Sequence, residues 1–130
     1  DFVVRGTGKP LRQFIYAEDL ARLILWVLKN YNEKTPIILS VGEHDEVSIE
    51  RVAREIARAY DYEDRIRFDD SFSDGQFKKT ADNRKLMKYM EEDLETGVGG
   101  ELMDFQFTGI SEGIQKSVQW FQENYHASRK

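Results

Sequence analysis

The sequence has 130 residues, of which 40% are hydrophobic and 12% aromatic, and this is sufficient for one compact domain with a buried core. A formal net charge of −5 provides no overall basic field, which argues against nucleic acid as the main partner. Because cysteine is absent and His44 and His126 lie far apart, disulfides, thiolate nucleophiles and a structural zinc site are excluded. The longest apolar run, residues 23–28, is too short to cross a bilayer, so we expect a soluble, cytoplasmic protein without a membrane partner.

The chain opens on an apolar stretch, residues 1–4, that is typical of a strand and lacks an initiator methionine, so we expect a fragment of a longer protein. A helix is predicted next, because the apolar positions between Leu20 and Leu28 fall on one helical face. The acidic residues Glu18 and Asp19 stand where negative charge favours a helix amino terminus.

Two elements are predicted between Pro36 and Tyr60. Residues 37–42 form a short apolar run with β-branched members that ends in glycine, which predicts a buried strand. Ser48 can cap a second helix through its hydroxyl, and the apolar residues from Ile49 to Tyr60 then share one face.

A third region alternates between extended, loop and helical patterns. Residues 65–68 alternate polar with apolar side chains and predict a short strand, while residues 69–75 have the polar and glycine content of a loop. Asp82 or Asn83 can cap a helix that we expect to continue through Tyr89.

The last region begins with an acidic, glycine-containing stretch at 90–104 that has no clear period and is interpreted as a mobile surface loop. Residues 110–125 regain a helical period and predict a final amphipathic helix. The alternation of helices with short strands indicates an α/β or α+β domain.

The first stretch that could carry chemistry is a glycine turn leading to Arg12. Gly6 and Gly8 allow backbone angles closed to other residues, and the guanidinium of Arg12 offers a planar fork of donors that matches phosphate oxygens. Arg12 is therefore a candidate diphosphate ligand, although the residues alone favour a surface arginine paired with a carboxylate such as Glu18. The Gly-Thr-Gly turn lacks the third glycine of a dinucleotide fingerprint and its strand-turn-helix setting, so it does not predict an NADP site.

The second such stretch, residues 73–82, contains an Asp74-Gly75 turn followed by Lys78 and Lys79. Asp74 could accept hydrogen bonds from sugar or ribose hydroxyls, and a lysine could neutralise a phosphate. Alternation along an extended segment sends the two lysines to opposite faces, so one of them at most points into a given pocket. Pattern alone slightly favours a plain Asp-Gly turn with solvated lysines.

Three segments together resemble the carboxyl-terminal region of the GDP-L-fucose synthase family, within the extended short-chain dehydrogenase/reductase superfamily. They are residues 6–21, 36–49 and 73–81. The Ser-Asp-Gly-Gln-Phe-Lys-Lys-Thr run of the third segment is the most specific, whereas the first is shared among many sugar-nucleotide epimerases.

The resemblance implies roles for four residues. Arg12 matches an arginine that contacts the GDP-sugar, Asp74 an acidic substrate contact, and Lys79 a lysine near the bound nucleotide. Arg5 stands where the family usually has tryptophan, so a phosphate contact and a solvent-exposed position are both open for this fourth binding candidate.

The resemblance also implies an activity: conversion of GDP-4-keto-6-deoxy-D-mannose to GDP-L-fucose by epimerisation and NADPH-dependent reduction. The family's catalytic residues and NADP-binding Rossmann domain are expected upstream, so residues 1–130 would be an inactive substrate-binding domain without a cofactor of its own, and 90–104 an insertion. The implied partners are a GDP-sugar, the amino-terminal Rossmann domain and a second copy of the full-length enzyme. The alternatives are the substrate domain of a related nucleotide-sugar epimerase or dehydratase, and a non-catalytic binding module.

Overall fold

A computed structural model describes residues 1–96, 102 and 104–128 of the protein. Helices and strands alternate along the chain, which confirms the predicted α/β class. The elements are β1 Phe2–Arg5, β2 Leu11–Arg12, α1 Ala17–Asn30, β3 Val47–Ser48, α2 Ile49–Ala59, β4 Ile66–Asp69, α3 Arg84–Thr96 and α4 Ile110–Glu123, with single 3₁₀ turns at Glu43–Asp45 and Glu63–Arg65. They form two compact units, the first from residues 1–12, 47–79 and the chain from 109 onward, and the second from residues 13–46 and 80–108.

The first unit contains both pairs of strands and two packed helices. β1 runs parallel to β4, and β2 runs antiparallel to β3. Helix α2 begins as predicted, because the hydroxyl of Ser48 accepts a hydrogen bond from the backbone N–H of Arg51 at 3.1 Å. Its inward face buries Ala53 and Ala57, and α4, which packs against α2, buries Val118.

The second unit is built on α1 and α3. Its core cluster of buried side chains comprises Leu23, Trp26, Leu86, Met90, Leu102 and Phe105. Asp19 is also buried, and its carboxylate accepts hydrogen bonds from the backbone N–H and the hydroxyl of Thr108 at 2.7 and 3.1 Å. The carboxylate of Asp82 accepts a bond at 2.9 Å from the N–H of Arg84, the first residue of α3. Asp82 therefore closes a turn one residue outside the cap position, and Asn83, which occupies that position, donates its side-chain amide to the carbonyl of Ser40.

The predicted strand at residues 37–42 is wrong. A strand needs a neighbouring strand for its backbone groups, and none of the strands in the described part of the chain pairs with this segment. Side-chain amides bind its carbonyls instead: Gln13 Nε2 donates to the oxygen of Val41 at 2.8 Å, and Asn83 Nδ2 donates to that of Ser40 at 3.0 Å. The apolar pattern correctly indicated burial, since Val41 is buried, but it does not correspond to strand pairing here.

Helix α3 is longer than predicted, because it continues past Tyr89 to Thr96. The interpretation of the stretch from residue 90 onward as a loop is therefore wrong for residues 90–96. Met90 follows Leu86 by one helical turn, and both side chains are buried in the core of the second unit. The acidic residues that obscured the helical period lie mainly on the exposed side of α3.

The remainder of the predicted insertion falls partly outside the described residues, namely at 97–101 and 103. Of the residues described there, Leu102 is 1% exposed and belongs to the core cluster. The stretch at 90–104 is thus not a surface loop throughout. No helix in the described ranges has the length and apolar character needed to span a membrane.

Candidate functional site

The candidate site lies at the edge of the first unit where the two parallel strands end. Arg5 at the end of β1 is the register partner of Asp69 at the end of β4, and the N–H of Gly6 donates to the carbonyl of Asp69 at 2.7 Å. Loops leaving the carboxyl ends of parallel strands are a common location for ligands in α/β proteins. The two stretches singled out from the sequence, residues 6–12 and 73–79, follow these two strand ends.

Thr7 and Asp74 join the two loops. The backbone N–H of Thr7 donates to Asp74 Oδ1 at 2.6 Å, and its hydroxyl donates to Asp74 Oδ2 at 2.5 Å. These two bonds, that of the hydroxyl first, hold the pKa of the Asp74 carboxyl below its ordinary value. Asp74 is therefore a charged, half-buried group whose two oxygens have a fixed orientation.

The turn between β1 and β2 needs both of its glycines. Gly6 has φ +95° and Gly8 has φ +75°, in the region that side chains disfavour. A Cβ at Gly6 would lie 2.5 Å from Asp74 Oδ1, and one at Gly8 would lie 2.6 Å from the ring of Phe68. Gly6 thus allows the close approach of the two loops, and Gly8 allows the turn to pack against β4 and α2.

Arg12 braces the second loop against β2. Its Nη1 donates to the carbonyls of Leu11 at 2.6 Å and Phe77 at 3.3 Å, and its Nη2 donates to the carbonyl of Gln76 at 2.8 Å. The N–H of Leu11 also donates to the carbonyl of Phe77, at 2.8 Å. None of the three acceptors of the guanidinium is a carboxylate, so these bonds hold the loop in place without neutralising the charge.

The two lysines stand at the far end of the second loop. Lys78 forms an isolated parallel bridge with Leu11, which continues the contact between the loop and β2. Lys79 follows directly, and its side chain is exposed. The backbone of residues 6–12 and 74–79 is therefore held together as one surface, with Arg12, Asp74 and Lys79 on it.

Arg5 lies at the strand end from which the first loop departs. Its exposed guanidinium is stacked over the ring of Phe72, with 4.7 Å between the guanidinium carbon and the ring centroid. Phe72 is itself 44% exposed. Arg5 thus lies beside the site and faces solvent.

Two residues that the sequence did not single out position these segments. Thr7 orients Asp74, and its only sequence signal was its place between two glycines. In the second unit, Gln13 binds both backbone groups of Ala81: its Nε2 donates to the carbonyl at 3.1 Å and its Oε1 accepts from the N–H at 2.7 Å. The only sequence signal for this contact of Gln13 was an amide side chain directly after Arg12.

The residues of the glycine turn do not fit an NADP site. Residues 6–8 lead into β2 and not into the amino terminus of a helix, where a dinucleotide diphosphate would be bound. Arg12, Asp74 and the lysines offer a surface of cations and one carboxylate instead.

Comparison with known proteins gives the family. Residues 1–42 match the NAD dependent epimerase/dehydratase family. The GDP-L-fucose synthase of Dictyostelium discoideum is 48% identical over 130 residues, which are 100% of this chain and 37% of that protein. The chain belongs to the GDP-L-fucose synthase family.

Solved structures of this family share the fold. A crystal structure of a GDP-L-fucose synthetase from Naegleria fowleri matches with a TM-score of 0.85 and 44% identity, over 100% of this chain and 36% of that one. A second crystal structure of that protein, bound to NADP, matches with a TM-score of 0.83 and 42% identity, over 98% of this chain and 36% of that one. The chain therefore spans little more than a third of the length of its GDP-L-fucose synthase relatives.

Proposed function

We propose that this chain is the GDP-sugar-binding portion of a GDP-L-fucose synthase. The complete enzyme would convert GDP-4-keto-6-deoxy-D-mannose to GDP-L-fucose by epimerisation and NADPH-dependent reduction. In this proposal NADP and the catalytic residues belong to a Rossmann domain outside these 130 residues, and the chain alone is inactive. The identity to GDP-L-fucose synthases over the whole chain supports it.

The observation that carries the proposal is the joining of two loops at the carboxyl edge of β1 and β4. The Thr7–Asp74 bonds and the Arg12 brace fix a surface that carries a cation and a carboxylate before any ligand arrives. Such a surface has the chemistry needed for a nucleoside diphosphate, because guanidinium binds phosphate oxygens and carboxylate accepts from hydroxyls.

Each candidate has a distinct part in this surface. Three of the five N–H donors of Arg12 are used by the carbonyls, and the remaining donors are assigned to the diphosphate. Asp74 keeps lone pairs beyond its two bonds with Thr7, and these would accept hydroxyl or base donors. Lys79 would neutralise a phosphate, since its exposed side chain ends the same loop.

Binding the nucleotide, which does not itself react, can assist catalysis at the sugar. Energy from contacts with the non-reacting part of a substrate can hold the reacting part in place. The GDP-binding surface would thus position the keto-sugar for groups supplied by the rest of the enzyme. The proposal also includes a homodimeric, cytoplasmic full-length enzyme, as the family resemblance implies.

The test is a comparison of ligand affinities in the complete enzyme. Arg12→Ala should weaken GDP-sugar binding about tenfold or more, the effect of losing charge-assisted hydrogen bonds, and leave NADPH affinity unchanged. Lys79→Met should weaken GDP-sugar binding without disturbing the Arg12 brace. Arg51→Ala, which removes an exposed arginine from α2, is the matched control. Unchanged GDP-sugar affinity in both Arg12→Ala and Lys79→Met would refute the proposal.

A further inference from the structure

We propose that Arg5, held in place by Phe72, is an additional phosphate-binding residue of this GDP-sugar site. The inference rests on the proposed function and deepens it by naming a further residue of the same site. It assigns Arg5 to the diphosphate and gives Phe72 the part of a positioning residue.

Arg5 lies at the edge of the candidate site. It is the last residue of β1, directly before the turn whose Thr7 binds Asp74. Phe72 belongs to the loop that follows β4, two residues before Asp74. The Arg5–Phe72 pair therefore joins the end of β1 to the loop that also contains Asp74, at the same edge of the parallel strands.

The N–H donors of Arg5 are available to a ligand. In the described ranges the Arg5 guanidinium makes no hydrogen bond and no ion pair, whereas Arg12 donates to three carbonyls. The register partner of Arg5, Asp69, has its Oδ1 bound by the N–H and hydroxyl of Ser71 at 3.1 and 2.6 Å. These bonds and, to a smaller extent, the nearby charge of Arg5 lower the pKa of the Asp69 carboxyl, so Arg5 acts on Asp69 through its charge and uses no N–H donor on it. Arg5 thus carries a full set of N–H donors at the edge of the site.

Stacking on Phe72 restrains the Arg5 guanidinium. A guanidinium on an aromatic ring uses its flat face, while all five N–H bonds point outward in its plane. At 4.7 Å from the centroid of Phe72, the Arg5 guanidinium is restrained without using any donor. Such a pre-oriented cation loses less side-chain entropy when an anion binds, which favours a phosphate contact over a free surface arginine.

The experiment compares GDP with guanosine as ligands of the complete enzyme by calorimetry. Arg5→Ala should weaken GDP binding about tenfold, the effect of one lost charge-assisted contact, and leave guanosine binding unchanged. Phe72→Leu should reproduce part of this loss, and Phe72→Tyr, which keeps the aromatic ring, should retain wild-type affinity for GDP. Arg65→Ala is the matched control, because Arg65 is also an exposed arginine stacked on a ring, that of Tyr62 at 5.3 Å.

The outcomes separate this inference from the proposed function. If Arg12→Ala weakens GDP binding while Arg5→Ala does not, the role of Arg5 is refuted and the proposed function stands. If Arg5→Ala weakens guanosine binding as much as GDP binding, Arg5 contacts the base. If Arg65→Ala weakens GDP binding as much as Arg5→Ala does, the effect of Arg5 is only that of the overall charge. Either result overturns the phosphate assignment. If neither Arg5→Ala nor Arg12→Ala nor Lys79→Met changes GDP binding, both proposals fail.

Discussion

The carboxylate of Asp74 accepts hydrogen bonds from both the backbone N–H and the hydroxyl of Thr7, a residue 67 positions earlier in the chain. This pair closes two loops on each other at the carboxyl edge of β1 and β4. The stability of the candidate site therefore depends on a contact within the protein as well as on the residues that would touch a ligand.

Replacing Asp74 with alanine should release Thr7 and loosen the turn at residues 6–8. Hydrogen exchange of the Thr7 amide should become faster, because its acceptor is removed. Asp74→Asn, which keeps one carbonyl oxygen, should have a smaller effect. Exchange of Thr7 that is the same in the wild type and in Asp74→Ala would show that the contact does not hold the turn.

The Thr7–Asp74 contact should also depend on pH. Because the folded pKa of Asp74 is lowered by Thr7, its stabilising effect is complete above the ordinary carboxyl value of 3.8 and is lost as the pH falls through the lower folded value. Thr7 amide protection, measured between neutral and acid pH, should fall only in that acid range. A loss of protection centred near neutral pH would contradict the assignment.

Gly8→Ala should be more destabilising than Gly75→Ala. Both glycines have positive φ, +75° and +69°, so both variants meet the backbone cost of about 1–2 kcal/mol. Only Gly8→Ala also places a Cβ against neighbours, at 2.6 Å from Phe68 and 2.9 Å from Glu50, which adds about 1–3 kcal/mol. Urea unfolding of the two variants measures the difference, and equal losses would contradict the close packing at Gly8.

Helix α1 offers a matched pair of leucines. Leu23 is 0% exposed and Leu28 is 76% exposed. Leu23→Ala should lower the free energy of unfolding by about 2–5 kcal/mol, because it empties part of the core. Leu28→Ala should change it by about 0.5 kcal/mol or less. Denaturant melts of both variants test the orientation of α1, and a larger loss in Leu28→Ala would show that the orientation is wrong.

Glu33 should govern part of the acid sensitivity of the second unit. Hydrogen bonds from Lys85, Tyr89 and Thr35 lower the pKa of Glu33 from 4.5 to about 2. The stabilisation is thus present above pH 4.5 and is lost as the pH falls toward about 2.

Glu33→Gln should therefore flatten the fall in stability between these pH values, as measured by thermal melts across the acid range. Glu18→Gln, which removes an exposed carboxylate from the start of α1, controls for the change in net charge. An acid profile of Glu33→Gln that matches the wild type would show that Glu33 does not contribute to the acid sensitivity.

Local signals predicted much of the fold. The Ser48 cap, the alternation at 65–68 and the helical period after residue 110 correspond to α2, β4 and α4, because each depends on neighbours within a few residues. The apolar pattern at 37–42 wrongly predicted a strand, because the side-chain amides of Gln13 and Asn83, and not a second strand, bind its carbonyls. The end of α3 was missed because charged residues hide the period that links Leu86 to Met90.

In the candidate site, too, the sequence indicated individual residues but not the contacts between distant ones. Residue chemistry indicated Arg12 and Asp74, but not that Arg12 would bind the carbonyls of Gln76 and Phe77 or that Asp74 would bind Thr7. Those contacts join positions more than 60 residues apart, and no local pattern reports them. Their roles toward a ligand stay predictions.

The most direct test of the central claim is hydrogen–deuterium exchange of the complete enzyme with GDP and, separately, with NADPH. If this chain binds the GDP end of the substrate, GDP should protect the amides of residues 6–12 and 73–79, and NADPH should leave them unchanged. Protection of these residues by NADPH alone, or GDP protection confined to regions outside this chain, would contradict the assignment.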